Sequence, residues 1–239
     1  MGSMHKFLRL LGIALLASFV TVGRGPAAGE EVDPEALKDA FFRTVFGLEY
    51  GGHADAYRVK RFVGPVRFFI DDRSGTGRQL EAQRFLNRLP RRIGHLQAAV
   101  VNQRSRANFR VILVRAQDFA DVVASELQAD SIAMNARCLV GVTTMNGRIQ
   151  QSTAVIVADD DFLFPRCLVE EVLQGLGPMN DDDSLTESVF NDQSQHAEFT
   201  KFDQALMNVL YHPMIRPGMT GTEAHQTLPL VFADLGLSH

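Results

Sequence analysis

The middle of the sequence carries the pattern of a β-hairpin followed directly by a helix. Two β-rich runs, Cys138–Thr144 and Ile149–Val157, flank the tetrapeptide Met145-Asn146-Gly147-Arg148. Asn-Gly is the favoured two-residue turn of hairpins because both residues tolerate positive φ. Apolar residues then recur at helical spacing from Pro165 to about Leu176, which predicts an amphipathic helix. A chain that pairs two strands locally and then adds a helix favours an α+β fold.

Weaker patterns along the rest of the chain extend this prediction. Capping signatures predict helices that begin near Asp33-Pro34, Thr200 and Thr220. The other predicted elements are strands at Pro65–Ile70, Gln97–Asn102 and Phe109–Val114, a helix with apolar residues from Ala82 to Leu89 that Pro90 ends, and a short helix at Asp118–Glu126. We therefore expect an α+β fold: a twisted mixed sheet of about five strands with a helix packed on it, and a mostly helical C-terminal part that closes a cleft.

Composition restricts the class of protein and the class of partner. The chain has 239 residues, of which 46% are hydrophobic and 22% are charged, and this excludes collagen-like, low-complexity and disulfide-dense proteins. The formal net charge is −4, which argues against nucleic acid as a partner, since that binding depends on phosphate neutralisation by Lys and Arg. We interpret the arginines clustered between residues 73 and 110 as a solvated basic face, with a polyanion site as the alternative.

The N-terminus has the three parts of a secretory signal. Lys6 and Arg9 precede an apolar run from Leu10 to about Gly23, and small residues follow as far as Gly29. The run is shorter than the ~20 residues that span a bilayer. We expect residues 1–28 to be a cleaved signal peptide, so that the mature protein is periplasmic or secreted and has no transmembrane span. An uncleaved anchor is the alternative.

The two cysteines suit an oxidising compartment. Cys138 and Cys167 both follow the predicted signal peptide. Outside the cytosol two such residues can form a disulfide. Two unpaired buried thiols that pack as small hydrophobes are the alternative. A metal site built on two isolated cysteines without a Cys-x-x-Cys motif is disfavoured.

The segment from Cys167 to Gly177 carries the candidate chemistry. It reads Cys-Leu-Val-Glu-Glu-Val-Leu-Gln-Gly-Leu-Gly, and its spacing is similar to the zincin motif His-Glu-x-x-His, with a glycine three residues later as in metzincins. We expect this glycine, Gly177, to allow a sharp reversal of the chain. Glu170 and Gln174 occupy the two ligand positions, one helical turn apart. Glu171 occupies the position of the general base. The predicted element order is also that of metzincins, so we expect residues 54–239 to form one zincin-like domain, preceded by a helical extension at 29–53.

The ligand positions depart from those of an active zincin. Zinc prefers imidazole or thiolate ligands, and a neutral amide oxygen is a weak ligand. Three interpretations stay open: a helix whose polar residues hold neighbouring loops by hydrogen bonds, a metal site built from Glu170, Gln174 and Asp181, and metal-free catalysis. The expected cofactor is accordingly none, or a weakly held divalent cation such as Ca²⁺, which accepts carboxylate and amide oxygens.

The same segment resembles a known family. Together with Ser188-Val189-Phe190-Asn191-Asp192, Asp203, Tyr211-x-Pro213 and Arg216-Pro217-Gly218-Met219, it is similar to the domain of unknown function 2927 family. Members are exported proteobacterial proteins with no assigned activity, and some are described as lipoproteins. The resemblance is strongest over about 135–219, and the chain lacks a lipidation cysteine. The residues that match the pattern are Glu170, Glu171, Gln174, Gly177, Asn180, Asp181, Ser188, Phe190, Asn191, Asp192 and Asp203.

We weigh three functions from different classes. The first is a non-catalytic envelope protein that binds an extended peptide or a partner in a degenerate zincin-like cleft, with Ile149–Val157 as the edge strand that the peptide pairs with. The second is a divergent, peptidase-like hydrolase in which Glu171 is the general base and Glu170 and Gln174 hold a metal or a water. The third is a structural surface factor. The candidate binding residues are Asn180, Asp181, Asn191, Asp192 and Asp203.

Overall fold

The computed structural model describes residues 32–47, 55–129, 136–191, 193 and 195–237. The predicted signal peptide and Asp192 lie outside the described residues. The strands are β1 (Val66–Asp72), β2 (Ala98–Val100), β3 (Phe109–Val114), β4 (Cys138–Met145) and β5 (Arg148–Val157). The helices are α1 (Pro34–Val45), α2 (Gln79–Arg92), α3 (Phe119–Leu127), α4 (Leu163–Gln174), α5 (Lys201–Tyr211) and α6 (Gly221–Asp234). The predicted α+β fold with a five-stranded mixed sheet and a helical C-terminal part is confirmed.

The sheet has the strand order β2-β1-β3-β5-β4. The first four strands are parallel, and β4 pairs antiparallel with β5. The edge strand is therefore β4, and the prediction that Ile149–Val157 forms the edge is wrong. Ser152–Val157 is buried along its whole length, as is usual for a strand with covered faces, whereas Leu139 is the one buried residue of β4.

Two apolar layers cover the two faces of the sheet. The larger contains residues of α1, α2, α4, α5 and α6, and the smaller lies beneath α3. Helix α1 contributes the fully buried side chains Leu37, Phe41 and Val45 to the larger layer. The helix that the sequence places in an N-terminal extension thus shares its core with the sheet.

The hairpin turn has the predicted geometry. Asn146 and Gly147 have φ angles of 52° and 73°. A side chain at Gly147 is also excluded by space, because an added Cβ would lie 2.1 Å from the backbone nitrogen of Gly218. Asp55 accepts hydrogen bonds from the backbone N–H of Gly147 (3.0 Å) and from the hydroxyl of Thr144 (2.8 Å). These contacts fix the tip of the β4–β5 hairpin.

Two helix boundaries differ from the predictions. The helix α2 continues past Pro90 to Arg92, because a proline near the end of a helix removes only one of the last backbone hydrogen bonds. The helix α4 begins at Leu163 rather than at Pro165. Its start is set by Asp160, whose carboxylate accepts the backbone N–H groups of Phe162 and Leu163. Within the described residues, no helix combines the length and apolar character needed to cross a membrane.

Candidate functional site

A disulfide joins the helix that carries the candidate residues to the edge of the sheet. Cys138 at the start of β4 is bonded to Cys167 in α4, with 5.7 Å between their Cα atoms. The predicted pairing of the two cysteines is confirmed. Because β4 pairs with β5, the bond fixes α4 against both strands of the hairpin.

The C-terminal end of α4 lies unusually close to the sheet. An added Cβ at Gly175 would lie 2.4 Å from Cζ of Phe109 on β3, so no side chain fits at this position. The hydroxyl of Ser152 on β5 donates a hydrogen bond of 2.7 Å to the carbonyl of Gly175. The position of the preceding residue, Gln174, is therefore set by contacts with two strands.

The three candidate catalytic residues lie in the interior. Glu170, Glu171 and Gln174 are only 5%, 5% and 4% exposed. The Oε2 atom of Glu170 lies 3.7 Å from Nε of Arg166, one turn earlier in the helix. Burial of polar or charged groups is costly unless they are paired or hydrogen-bonded, so these side chains are engaged in contacts within the protein.

Gln174 and Asp181 form the closest contact among the predicted site residues. The Nε2 atom of Gln174 lies 2.8 Å from Oδ1 and 2.9 Å from Oδ2 of Asp181. The amide group therefore presents its N–H donors to the carboxylate. An amide donor that faces a carboxylate satisfies both groups, and this arrangement ties the loop after α4 back to the helix.

The chain reverses direction between these two residues at Gly177. Gly177 has a φ of 150°, and an added Cβ would lie 2.4 Å from the carbonyl oxygen of Lys60. The predicted need for glycine at this reversal is confirmed. Asn180 follows, and its side-chain Nδ2 donates to the carbonyl of Arg43 (2.9 Å), while its backbone N–H donates to that of Thr44 (3.2 Å). Asn180 thus connects the loop to the C-terminal end of α1.

The other predicted binding residues make their recorded hydrogen bonds within the loop and the start of α5. The carboxylate of Asp203 accepts hydrogen bonds from the hydroxyls of Ser188 (2.6 Å) and Thr200 (2.7 Å), and burial raises the pKa of Asp203. Asn191 donates to the carbonyls of Asp183 and Leu185. These contacts order the loop. None of them includes Gln174 or Asp181.

Three residues that hold this region together are not among the predicted site residues. The ammonium of Lys60, 1% exposed, donates to the carbonyls of Val45 (2.8 Å) and Ala56 (3.0 Å), and burial lowers the pKa of Lys60 to about 8. Arg61 donates to three carbonyls at the end of α5, those of Leu210, His212 and Ile215. Tyr211 donates to the carbonyl of Leu176 at 2.9 Å. Their partners are backbone carbonyls, which any residue can supply.

The donor set does not have the arrangement of a metal site. Among the residues that the structure describes, no group of three His, Cys, Asp or Glu side chains is placed to hold a metal ion. Of the predicted ligands, Gln174 directs its N–H groups at Asp181, and N–H groups do not coordinate cations. The N–H donors of Gln174 and the carboxylate acceptors of Asp181 therefore satisfy each other.

Comparison with known proteins identifies the family of the chain. No protein with curated annotation matches the sequence. A family model described as protein of unknown function (DUF2927) matches residues 34–230, from the start of α1 into α6. Because this match covers most of the chain, the protein belongs to the DUF2927 family.

Proposed function

We propose that the protein is an exported, non-catalytic binding protein that adds an extended segment of a partner protein to its sheet along β4. The observation that carries this proposal is the position of β4. It is eight residues long, it pairs with β5, and no other described strand lies beside it. The free side of such a strand offers unpaired backbone N–H and C=O groups to another chain.

The composition of β4 supports this use. Exposed edge strands are usually protected by charged residues, by proline or by shortness, because they otherwise promote aggregation. Cys138–Met145 contains no charged residue and no proline. The opposite edge strand, β2, is only three residues long. The ladder with β5 is irregular between Thr143 and Thr144, but none of these devices protects the regular part of the edge, Cys138–Thr143. Such an edge is a liability for which strand addition gives a reason.

The strand is also rigidly held, which lowers the entropic cost of binding. The disulfide fixes Cys138, and the hydrogen bond to Asp55 fixes Thr144. Between them, Gly141 packs so closely on α3 that an added Cβ would lie 2.8 Å from the Leu127 side chain. The backbone of β4 is therefore already in the extended geometry that a second strand requires.

The buried polar residues support a non-catalytic role. A general base must reach the proton that it abstracts, and Glu171 is only 5% exposed. Gln174 is engaged with Asp181. The hydrolase alternative, with Glu171 as the base, is retained as an outcome of the test below.

Export is part of the proposal and has a separate test. The disulfide supports an oxidising compartment, and the first 28 residues have the composition of a secretory signal. Expression of the full chain in a bacterial host should yield a periplasmic or secreted product whose N-terminus lies between residues 23 and 30. A cytosolic product with its original N-terminus would contradict export.

Strand addition can be tested without knowing the partner. Random displayed peptides long enough to span β4 are selected against the purified protein, and hydrogen exchange is then measured with and without the selected peptides. We expect alternate backbone amides of β4 to become protected. Protection elsewhere with no change in β4 would overturn the proposal, and turnover of the selected peptides would favour the hydrolase.

A matched pair of variants makes the test specific. Thr143→Lys places a charge on the exposed part of the edge strand, whereas Gln150→Lys places the same charge on an exposed position of β5, which is not at the edge. Lysine on an edge strand opposes pairing with a further strand. Thr143→Lys should weaken binding at least ~10-fold more than Gln150→Lys, with both variants folded by circular dichroism. Equal effects would contradict binding at β4.

A further inference from the structure

The outer face of α2 carries a line of three arginines. Arg84, Arg88 and Arg91 are exposed and follow each other at intervals of four and three residues. With 3.6 residues per turn, these intervals place them on one face of the helix, over about 10 Å of its length. The buried side of α2 consists of Ala82, Phe85, Leu86 and Leu89, on the opposite side of the helix. The arginines thus point directly away from the core.

These arginines have no acidic partner within the described part of the chain. None of the ion pairs recorded there includes Arg84, Arg88 or Arg91, and the acid of α2, Glu81, is paired with Arg78 at 2.7 Å. Arg88 lies close enough to Arg92 that its charge, added to the larger effect of burial, lowers the pKa of Arg92. Like charges at this spacing slightly destabilise a helix, and an anion bound from outside would relieve this repulsion.

Exposed apolar side chains lie near the N-terminal end of α2. Leu80, four residues before Arg84, is 53% exposed. Arg78 next to it is paired with Asp161 and lies 5.0 Å from the ring of Phe164, which brings the loop of Phe162 to this corner. Phe162 is 63% exposed. The line of arginines therefore shares its face with the exposed Leu80, and Phe162 lies near the same end of α2.

We infer that the outer face of α2 is a docking surface for an anionic phospholipid membrane. Basic side chains are attracted to the surface of anionic bilayers, and exposed apolar side chains near them add to the binding. Nucleic acid is disfavoured because the chain is acidic overall, with a net charge of −4. The inference does not depend on strand addition at β4.

The expected strength of this docking is modest and measurable. Each basic residue near an anionic surface contributes about 1 kcal/mol, which corresponds to about fivefold in the partition coefficient. Replacing all three arginines by glutamine should therefore lower partitioning onto anionic vesicles by about 100-fold. Leu80→Ser together with Phe162→Ser should lower it further, and that second loss should not depend on salt.

The experiment is co-sedimentation with phosphatidylcholine vesicles that contain or lack phosphatidylglycerol, at low and high salt. The test protein is the full chain with Arg84→Gln, Arg88→Gln and Arg91→Gln. The matched control carries Arg106→Gln, Arg115→Gln and Arg216→Gln, which remove the same charge from exposed positions elsewhere. Because both proteins retain residues 1–28, any membrane affinity of that apolar segment cancels in the comparison.

We expect the wild-type protein and the control to bind phosphatidylglycerol vesicles in a salt-dependent manner and the test variant to lose this binding. The inference is overturned if the control loses as much as the test variant, or if binding is equal with and without phosphatidylglycerol. It is also overturned if heparin binds through these arginines while the anionic vesicles do not, since the occupant would then be a soluble polyanion.

Discussion

The side-chain nitrogen of Gln174 lies within 2.9 Å of both carboxylate oxygens of Asp181. This contact closes the loop after α4 onto the helix, and the glutamine is almost fully buried. The glutamine thus supplies donors to a carboxylate, whereas a metal ligand would supply a lone pair.

Removing the acceptor should therefore destabilise the protein. Asp181→Ala leaves the buried amide of Gln174 without its recorded acceptor, and an unsatisfied buried donor costs about 1–3 kcal/mol. Urea unfolding should show a loss of this size. Asp183→Ala, at an exposed position of the same loop, should change the free energy of unfolding by less than ~0.5 kcal/mol. Equal effects of the two substitutions would show that the contact contributes nothing.

The geometry of α4 can be tested by building the site that the sequence pattern resembles. Glu170→His together with Gln174→His places two imidazoles one helical turn apart, next to Asp181, and two histidines with one carboxylate form a known zinc ligand set. We expect this variant to bind one zinc ion, measured by calorimetry and metal analysis. Adding Asp181→Ala should weaken binding roughly 10-fold or more, because a ligand is lost. A folded double variant without zinc affinity would contradict the zincin interpretation of this helix.

The sequence predicts the individual strands and helices better than it predicts which strands lie next to each other in the sheet. The Asn146-Gly147 turn and the apolar runs beside it were sufficient to predict the β4–β5 hairpin. Which of its two strands pairs with β3 depends on contacts between residues far apart in the chain, such as Phe109 opposite Ser152. The pattern of a single strand contains no such information, and the edge was consequently assigned to β5 instead of β4.

The candidate site was predictable where spacing within one helix decides the geometry. The helical interval placed Glu170 and Gln174 on one face, and the glycine pattern predicted the reversal that brings Asp181 back to the helix. The roles of Lys60 and Arg61 were not predictable, since both bind backbone carbonyls of distant segments. Such contacts arise from tertiary structure and leave no motif.

The disulfide should contribute a large part of the stability. It connects residues separated by 29 positions, and a loop of that length corresponds to about 3–4 kcal/mol in the chain-entropy model. Cys138→Ser together with Cys167→Ser should lower the free energy of unfolding by this amount, and reductant should have the same effect on the wild-type protein alone. If reductant leaves the free energy of unfolding of the wild-type protein unchanged, the prediction is wrong.

Stability should fall in acid because of one glutamate in α3. Glu126 lies 2.8 Å from Arg110 and 2.6 Å from Arg73, and these partners lower the pKa of its carboxyl to about 2. The pKa of this carboxyl in the unfolded chain is about 4.3. At pH values above about 4.3 the ionised carboxylate stabilises the folded state, and this contribution is lost as the pH falls towards 2. The loss should be about 2–3 kcal/mol in the free energy of unfolding.

Substitution of the same residue separates this effect from general acid denaturation. Glu126→Gln should be less stable than the wild type at pH 7 by about 3 kcal/mol, because the nearly buried Arg110 loses its charged partner. The difference between the two proteins should shrink as the pH falls from 4.5 to 2. Asp121→Asn, at an exposed position of the same helix, should keep the pH dependence of the wild type. A constant difference across this range would refute the assignment to Glu126.

The close approach of α4 to the sheet gives the last prediction. Gly175→Ala would place a methyl group 2.4 Å from Cζ of Phe109, and overpacking of this kind costs about 1–3 kcal/mol. Gly64→Ala is the matched control, because nothing lies within 4 Å of its added Cβ, so it should leave the melting temperature unchanged or raise it slightly. If the clash is the cause, Phe109→Leu should be less harmful in the Gly175→Ala background than in the wild type, which a double-mutant cycle measures. Additive effects of the two substitutions would mean that the glycine is required for another reason.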